Sequence, residues 1–168
     1  MPVIGVAVAI PEPWAAELVG YRHRIGDPTA AGVPSHITLI PPTEVADDLA
    51  GIEAHLERVA SKVAPFRVHL RGTGTFRPVS PVVFVSLAEG ISQCEQLADA
   101  VRRGPLAVDL DYPYHPHVTV AHHLDDPTLD AAFDDLAGFE CAFDVTDFHL
   151  YVHHEQEGWR SSRTFPLG

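Results

Sequence analysis

One short pattern occurs twice in the chain and limits the architectures open to the rest. Pro34-Ser35-His36-Ile37-Thr38-Leu39 is echoed by Pro116-His117-Val118-Thr119-Val120. Each copy reads His-apolar-Thr-apolar, with a proline one or two residues earlier. Alternate side chains of an extended strand share a face, so His36 and Thr38 point one way while Ile37 and Leu39 point the other. His117 and Thr119 stand likewise against Val118 and Val120. A single such strand carries little information, because Thr favours strands and His tolerates them. Two copies roughly half a chain apart predict two lobes facing across a groove. Their imidazoles and hydroxyls would then converge on one tetrahedral group.

The segments around the two copies support this layout. Val3 to Ile10 reads as a buried strand ended by Pro11 and Pro13. A helix follows from Trp14 to about Arg24, with Trp14, Leu18, Tyr21 and Ile25 at helical spacing. Gly26 to Pro34 is a loop, and the first motif strand is expected to close at Pro41-Pro42. A helix from about Ala46 to Val63 leads to strands at Phe66–Phe76 and Pro81–Leu87, joined by a turn through Arg77. A third helix spans Ile91 to Arg102, the second motif strand His117 to His122, and a fourth helix Pro127 to Leu136. One long strand, Phe139 to His153, and a last one, Trp159 to Pro166, complete the order β-α-β-α-β-β-α-β-α-β-β. Helices interspersed with hairpins predict an α+β fold with antiparallel sheets rather than a doubly wound parallel sheet. No linker composition interrupts residues 1–168, which are expected to form one domain of two intertwined lobes.

Charge narrows the partners. The formal net charge is −12, and the ten arginines and single lysine, Lys62, are scattered among many more acids. A protein that grips a long nucleic acid needs a basic footprint, so a long nucleic-acid track is excluded as the main partner. A small nucleotide, a cyclic phosphate or a short RNA end remains open, since a local pocket can be positive on an acidic protein. No apolar run approaches the ~20 residues that span a bilayer, which argues against a membrane partner. The opening Met1-Pro2-Val3-Ile4-Gly5-Val6 reads as a strand rather than a signal segment, and a cytoplasmic location is expected. Cys94 and Cys141 lack CxxC spacing and are expected as free thiols. A monomer is the expected state.

The motif residues define a chemistry. Histidine has a reference pKa of ~6.5, so one of a pair can be neutral and the other protonated near neutral pH. The neutral ring can take a proton from water or a hydroxyl, and the charged one can give a proton to a leaving alkoxide. Thr38 and Thr119 can donate hydrogen bonds to phosphate oxygens. Such a set needs no cofactor and no metal. Arg77 is a candidate for a phosphate or base contact, and Phe76 and Tyr114 are candidates for stacking on a base. His115, His117, His122 and His123 could also be read as a metal cluster, but Pro116 separates the first two and no carboxylate or cysteine stands at ligand spacing. Asp109, Asp111, Asp125 and Asp126 read as solvated loop residues.

The stretches HITLIPP and YHPHVTVAHHL resemble the 2H phosphoesterase superfamily, in its 2′-5′ RNA ligase-like branch. Gly72-Thr73-Gly74-Thr75-Phe76-Arg77-Pro78 and the ending Trp159 to Gly168 are also similar to that branch. The resemblance covers nearly the whole chain. It implies a bilobal α+β fold with two antiparallel sheets flanking a central groove, helices outside and pseudo-twofold symmetry. It also implies cyclic phosphodiesterase or RNA-end-joining chemistry at His36, Thr38, His117 and Thr119. The favoured assignment makes His117 the base toward water and His36 the acid toward the leaving oxygen. Many relatives carry arginine where this chain has His122, and plain alternation puts His122 on the face opposite His117. The expected activity is metal-independent cleavage of a 2′,3′-cyclic phosphate or a 2′-5′ phosphodiester. The rival readings are RNA 2′-5′ ligation, a metal-dependent hydrolase on the His115 to His123 cluster, and a non-catalytic phosphate-binding module.

Overall fold

The structure, a computed structural model, describes residues 1–30, 32 and 34–168. The expected loop from Gly26 to Pro34 is therefore described except at Ala31 and Val33, which lie outside the described residues. The chain runs β1 (Val3–Ala9), α1 (Trp14–Arg24), β2 (His36–Glu44), α2 (Leu49–Ser61), β3 (Phe66–Thr75), β4 (Val82–Glu89) and α3 (Ile91–Val101). It continues through β5 (His117–His122), α4 (Asp126–Asp135), β6 (Glu140–Val145), β7 (Asp147–His154) and β8 (Gly158–Pro166). The strands form two four-stranded antiparallel sheets, ordered β2-β1-β7-β8 and β5-β4-β3-β6. This is the expected α+β architecture.

Each motif strand occupies the edge of its sheet, β2 beside β1 and β5 beside β4. A helix joins each pair: α1 between β1 and β2, α3 between β4 and β5. The helices cross over, so that α1 lies against β5 and α3 against β2. Each lobe's connecting helix thus supports the other lobe's motif strand. The apolar faces of those strands supply the backing: Ile37, Leu39, Val118 and Val120 are wholly buried in a cluster that draws on both sheets.

Three boundaries differ from the sequence reading. The segment Phe139 to His153 is two strands in different sheets, β6 pairing with β3 and β7 with β1. Its buried residues show why. Cys141, Phe143 and Val145 fall on odd positions, whereas Phe148, Leu150 and Val152 fall on even ones. A one-residue phase change flips every following side chain, and here it marks the crossing between sheets at Thr146. Strand β2 does not stop at Pro41-Pro42 but continues to Glu44. An edge strand tolerates proline because one side of it has no ladder to complete. Helix α2 begins at Leu49 rather than near Ala46, because Asp48 caps it by accepting the Gly51 N–H at 3.1 Å.

Candidate active site

The two His-x-Thr strands have the same fine structure. His36 and Thr38 are half-buried and alternate with buried Ile37 and Leu39; His117 and Thr119 alternate in the same way with Val118 and Val120. Opposite them on the neighbouring strand, Ala9 pairs with His36 and Ala7 with Thr38, while Ser86 pairs with His117 and Phe84 with Thr119. The register then slips by one residue in both lobes. Val6 pairs with Ile40, leaving Leu39 as an extra residue, and Val83 pairs with Ala121, leaving Val120 extra. These are β-bulges at the same place in each copy, a device that re-aims the side chains beyond it.

The bulge in β5 corrects the reading of His122. Val120 and Ala121 are both buried in succession, so His122 returns to the face of His117 and Thr119 and lines the same groove. Burial, the charge of neighbouring His123 and that of Arg22 hold its pKa below the ordinary value, with Asp27 acting in the opposite sense. Alternation alone could not reveal this, although two adjacent small apolar residues, Val120 and Ala121, are the trace a bulge leaves.

The two catalytic candidates are anchored identically. The Nδ1–H of His36 donates to the Pro34 carbonyl at 2.7 Å, and the Nδ1–H of His117 donates to the His115 carbonyl, also at 2.7 Å. A carbonyl can only accept, so the proton of each neutral ring is on Nδ1 and the Nε2 lone pair is free. Burial lowers the pKa of His36, and the charge of Arg22 adds to this, against the Pro34 hydrogen bond. Burial also pushes His117 down, to about 4, with further lowering from His115 and His36 outweighing its hydrogen bond to His115. The two imidazoles are therefore close enough for a charge on one to oppose a charge on the other. Both shifts favour the neutral ring, in contrast to the one-charged, one-neutral pair read from reference values.

Arg22 comes from a buried ion pair that the sequence did not signal. Its Nε donates to Asp27 at 2.9 Å and its Nη2 to the Thr29 hydroxyl, and both charged residues are nearly inaccessible. Helix α1 carries Arg22 toward the motif strands, where its positive charge acts on both His36 and His122.

The remaining candidates divide. Thr38, Phe76, Tyr114, His115, His117, Thr119 and His122 line one groove of about 550 Å³. His36 and Thr38 line an adjoining recess of about 160 Å³, so Thr38 is common to both. Phe76 packs edge-on against His117 with centroids 4.9 Å apart and rests on Phe84 at 4.5 Å. The Tyr114 hydroxyl donates to the Thr38 carbonyl at 2.7 Å and so ties the second lobe to the first.

Arg77 is not brought to the groove. Its guanidinium meets Asp130 at 2.9 Å and Asp126 at 3.5 Å, while its Nε donates to Thr75 Oγ1 at 3.1 Å. Arg77 lies in the turn beyond β3, and its guanidinium faces α4 while Phe76 faces the histidines. Asp126 and Asp130 thus hold the β3–β4 turn, and Asp125 caps α4 by accepting the Thr128 N–H. Among the described residues, no group of three or more His, Cys, Asp or Glu side chains is arranged to hold a metal ion. His122 instead stacks on His123 at 3.6 Å. No described helix is long and apolar enough to cross a membrane. Two residues that the sequence reading left aside, Tyr151 and Trp159, line the recess beside His36.

Paired antiparallel sheets with tandem His-x-Thr strands at facing edges define the 2H phosphoesterase class. The profile described as 2′-5′ RNA ligase superfamily matches residues 10–157, and the chain belongs to that family. A Bacillus cytotoxicus protein with a provisional phosphoesterase name is 33% identical over 156 residues, covering 89% of this chain and 87% of that one. A similarly named Bacillus licheniformis protein is 30% identical, with 88% of each chain covered. Among solved structures, TT0787 of Thermus thermophilus superposes with a TM-score of 0.71 at 27% identity, covering 99% of this chain and 98% of that one. Escherichia coli LigT, solved with 3′-AMP, gives a TM-score of 0.71 at 20% identity over 99% of both chains, a likeness of fold. Family membership and these relatives support phosphoesterase activity.

Proposed function

We propose that the chain hydrolyses a 2′,3′-cyclic phosphate or a 2′-5′ phosphodiester on a nucleotide, an RNA end or a related small phosphorylated metabolite. His36 and His117 act as the acid–base pair, and Thr38 and Thr119 donate to the non-bridging phosphate oxygens. The observation that carries this reading is the matched anchoring of the two imidazoles, each tied by Nδ1 to the carbonyl two residues back. That arrangement leaves two Nε2 atoms, one from each lobe, for the two proton transfers a phosphoryl displacement requires. Phe76 and Tyr114 form walls for the substituents of the phosphate. Arg77 acts at a distance, by fixing the turn that carries Phe76. The protein is suited to a reducing compartment such as the cytoplasm, since both cysteines are buried thiols.

The lowered pKa values fit a substrate-assisted charge. An anionic phosphodiester favours the protonated form of a nearby imidazole, so the acid acquires its proton as the substrate enters. His117 then takes a proton from water while His36 gives one to the leaving oxygen. In the reverse direction the roles exchange, and the same site joins ends. The family's name favours that reading, and the charge of −12 weighs against large RNA substrates.

Two substitutions test the proposal. His36→Ala and His117→Ala are each expected to lower kcat/KM on a 2′,3′-cyclic nucleotide by roughly 10²-fold or more, without loss of cooperative unfolding. EDTA is expected to leave the wild-type rate unchanged. Full activity in either variant would sink the two-histidine mechanism, and loss of activity on chelation would favour a metal-dependent reaction. Tight nucleotide binding with no turnover across cyclic nucleotides, cyclic-ended RNA and cyclic sugar phosphates would leave a binding module.

A further inference from the structure

The groove of about 550 Å³ is far larger than a phosphate group needs, and a cleft of that size suits a whole small molecule. Among the described residues that line it, none is Lys, Arg, Asp or Glu. Apart from the motif groups and the histidines beside them, the lining is mainly apolar or aromatic, with Pro41, Phe76, Val82, Leu110, Pro113 and Tyr114. The arginines around it are engaged elsewhere. Arg77 is held by Asp126 and Asp130, and Arg22 by Asp27 and Thr29. Arg102 lies over the Tyr114 ring, 5.8 Å from its centroid, and is not part of the lining. A nucleic-acid strand continuing from the reacting phosphate would bring a second phosphate into this space. Arg and Lys are the side chains that neutralise such a charge, and the groove presents neither.

The rim carries an independent observation. Among the described residues, four large hydrophobic side chains stand exposed, Met1, Val79, Ile91 and Tyr112, and two of them border this groove. Val79, on the turn between β3 and β4, is 66% exposed, and Tyr112, on the connection between α3 and β5, is 67% exposed. Exposed apolar side chains on the border of a cleft mark a surface that a ligand covers. Behind them the walls are already fixed. Phe76 packs against both Phe84 and His117, and the Tyr114 hydroxyl is committed to the Thr38 carbonyl. An apolar group entering the groove therefore meets prepared surfaces and loses little to rearrangement.

We infer that this groove selects a phosphodiester arm that is uncharged and apolar, with Val79 and Tyr112 as specificity residues, and turns away an arm bearing further negative charge. The inference rests on the proposed function above and deepens it, since it states the chemical class of the group esterified to the reacting phosphate. A ligand of this class carries its whole charge at the phosphate, where the hydroxyls of Thr38 and Thr119 can meet it. Its remaining surface is neutral, in keeping with a protein of net charge −12 whose groove lining supplies no Lys or Arg.

The test reads binding by the whole chain with unactivated diesters, so it does not depend on turnover. Dimethyl phosphate and diphenyl phosphate carry the same single charge. Isothermal titration calorimetry is expected to give diphenyl phosphate a dissociation constant lower by about tenfold or more, the scale of burying one ring. Bis(4-carboxyphenyl) phosphate, with the same rings and two added charges, is expected to lose that advantage. Tyr112→Ser is expected to reduce the advantage of diphenyl phosphate by about threefold or more. Val79→Lys is expected to weaken diphenyl phosphate and tighten bis(4-carboxyphenyl) phosphate, a gain that a misfolded variant cannot produce. Circular dichroism confirms that each variant is folded. Equal binding of the methyl and phenyl diesters, no binding of either, or an advantage unchanged in both folded variants overturns the inference. If the preferences behave as expected while no cyclic phosphate or 2′-5′ diester is turned over, the selectivity stands and the proposed reaction falls.

Discussion

His117 illustrates how the fold alters a residue whose role is suggested by type. Its pKa is pushed to about 4 by burial, with further lowering from His115 and His36. Titration followed by NMR is expected to find it near that value in the free protein and to find it raised when 3′-AMP or phosphate binds. The unfolded imidazole, at ~6.5, takes up a proton first as pH falls. The contribution of this site to stability is therefore complete above about pH 6.5 and is lost as pH drops toward 4. Asp27 offers a second check. Burial alone would raise its pKa, yet the Thr29 hydroxyl and N–H and the Arg22 guanidinium hold it below the usual carboxylate range. Asp27→Ala strands a buried guanidinium and is expected to cost about 3–5 kcal/mol in denaturant unfolding. The sequence made His36, Thr38, His117 and Thr119 legible because a repeated pattern stands out from background. Arg22, Asp27 and His122 were not legible. Nothing local marks a buried ion pair, and a bulge moves a side chain without altering the residues that flank it.

The elements repeat this division. Alternation and helical spacing located the four helices and every strand, except that β6 and β7 read as one, because a period of 2 or 3.6 is written directly in the apolar positions. What they could not supply was the sheet each strand joins, and the phase change around Thr146 was the one local clue. Strand β4 carries a further consequence. Phe84 is wedged between Gly74 beneath and Phe76, His115 and His117 around it. Gly74→Ala puts a Cβ within 2.6 Å of that ring, which must shift among neighbours that include His117. The expected cost is about 1–3 kcal/mol of stability. A fall in kcat should accompany it, read by comparing denaturation midpoints with turnover. Arg77 shows what its type and position alone do not reveal. An arginine in the turn after Phe76 is a candidate for a phosphate or base contact by type, but in the structure the acids one turn apart on α4, Asp126 and Asp130, hold its guanidinium.

For the molecule as a whole, the proposed reaction requires the two histidines at a fixed separation, and the two sheets are braced against each other by exchange. Helices α1 and α3 each lie against the other lobe's motif strand, and Tyr114 bonds across to Thr38. Tyr114→Phe removes only that bond. It is expected to lower stability by about 0.5–1.5 kcal/mol, read from the denaturation midpoint. The likeness of the halves was visible in the sequence, but their difference was not, because Ala7 and Phe84 become counterparts only through strand pairing. Placing both motif strands at sheet borders leaves the cleft accessible to a ligand, and it also leaves backbone on which a foreign strand could dock. Pro41 and Pro42, adjacent in the extended β2, both lack an N–H, and because backbone groups alternate sides one of these gaps falls on that border. The same imino acids that fail to end the strand thereby make it a poor template for self-association, so an enzyme that needs an open rim can keep one without inviting polymerisation.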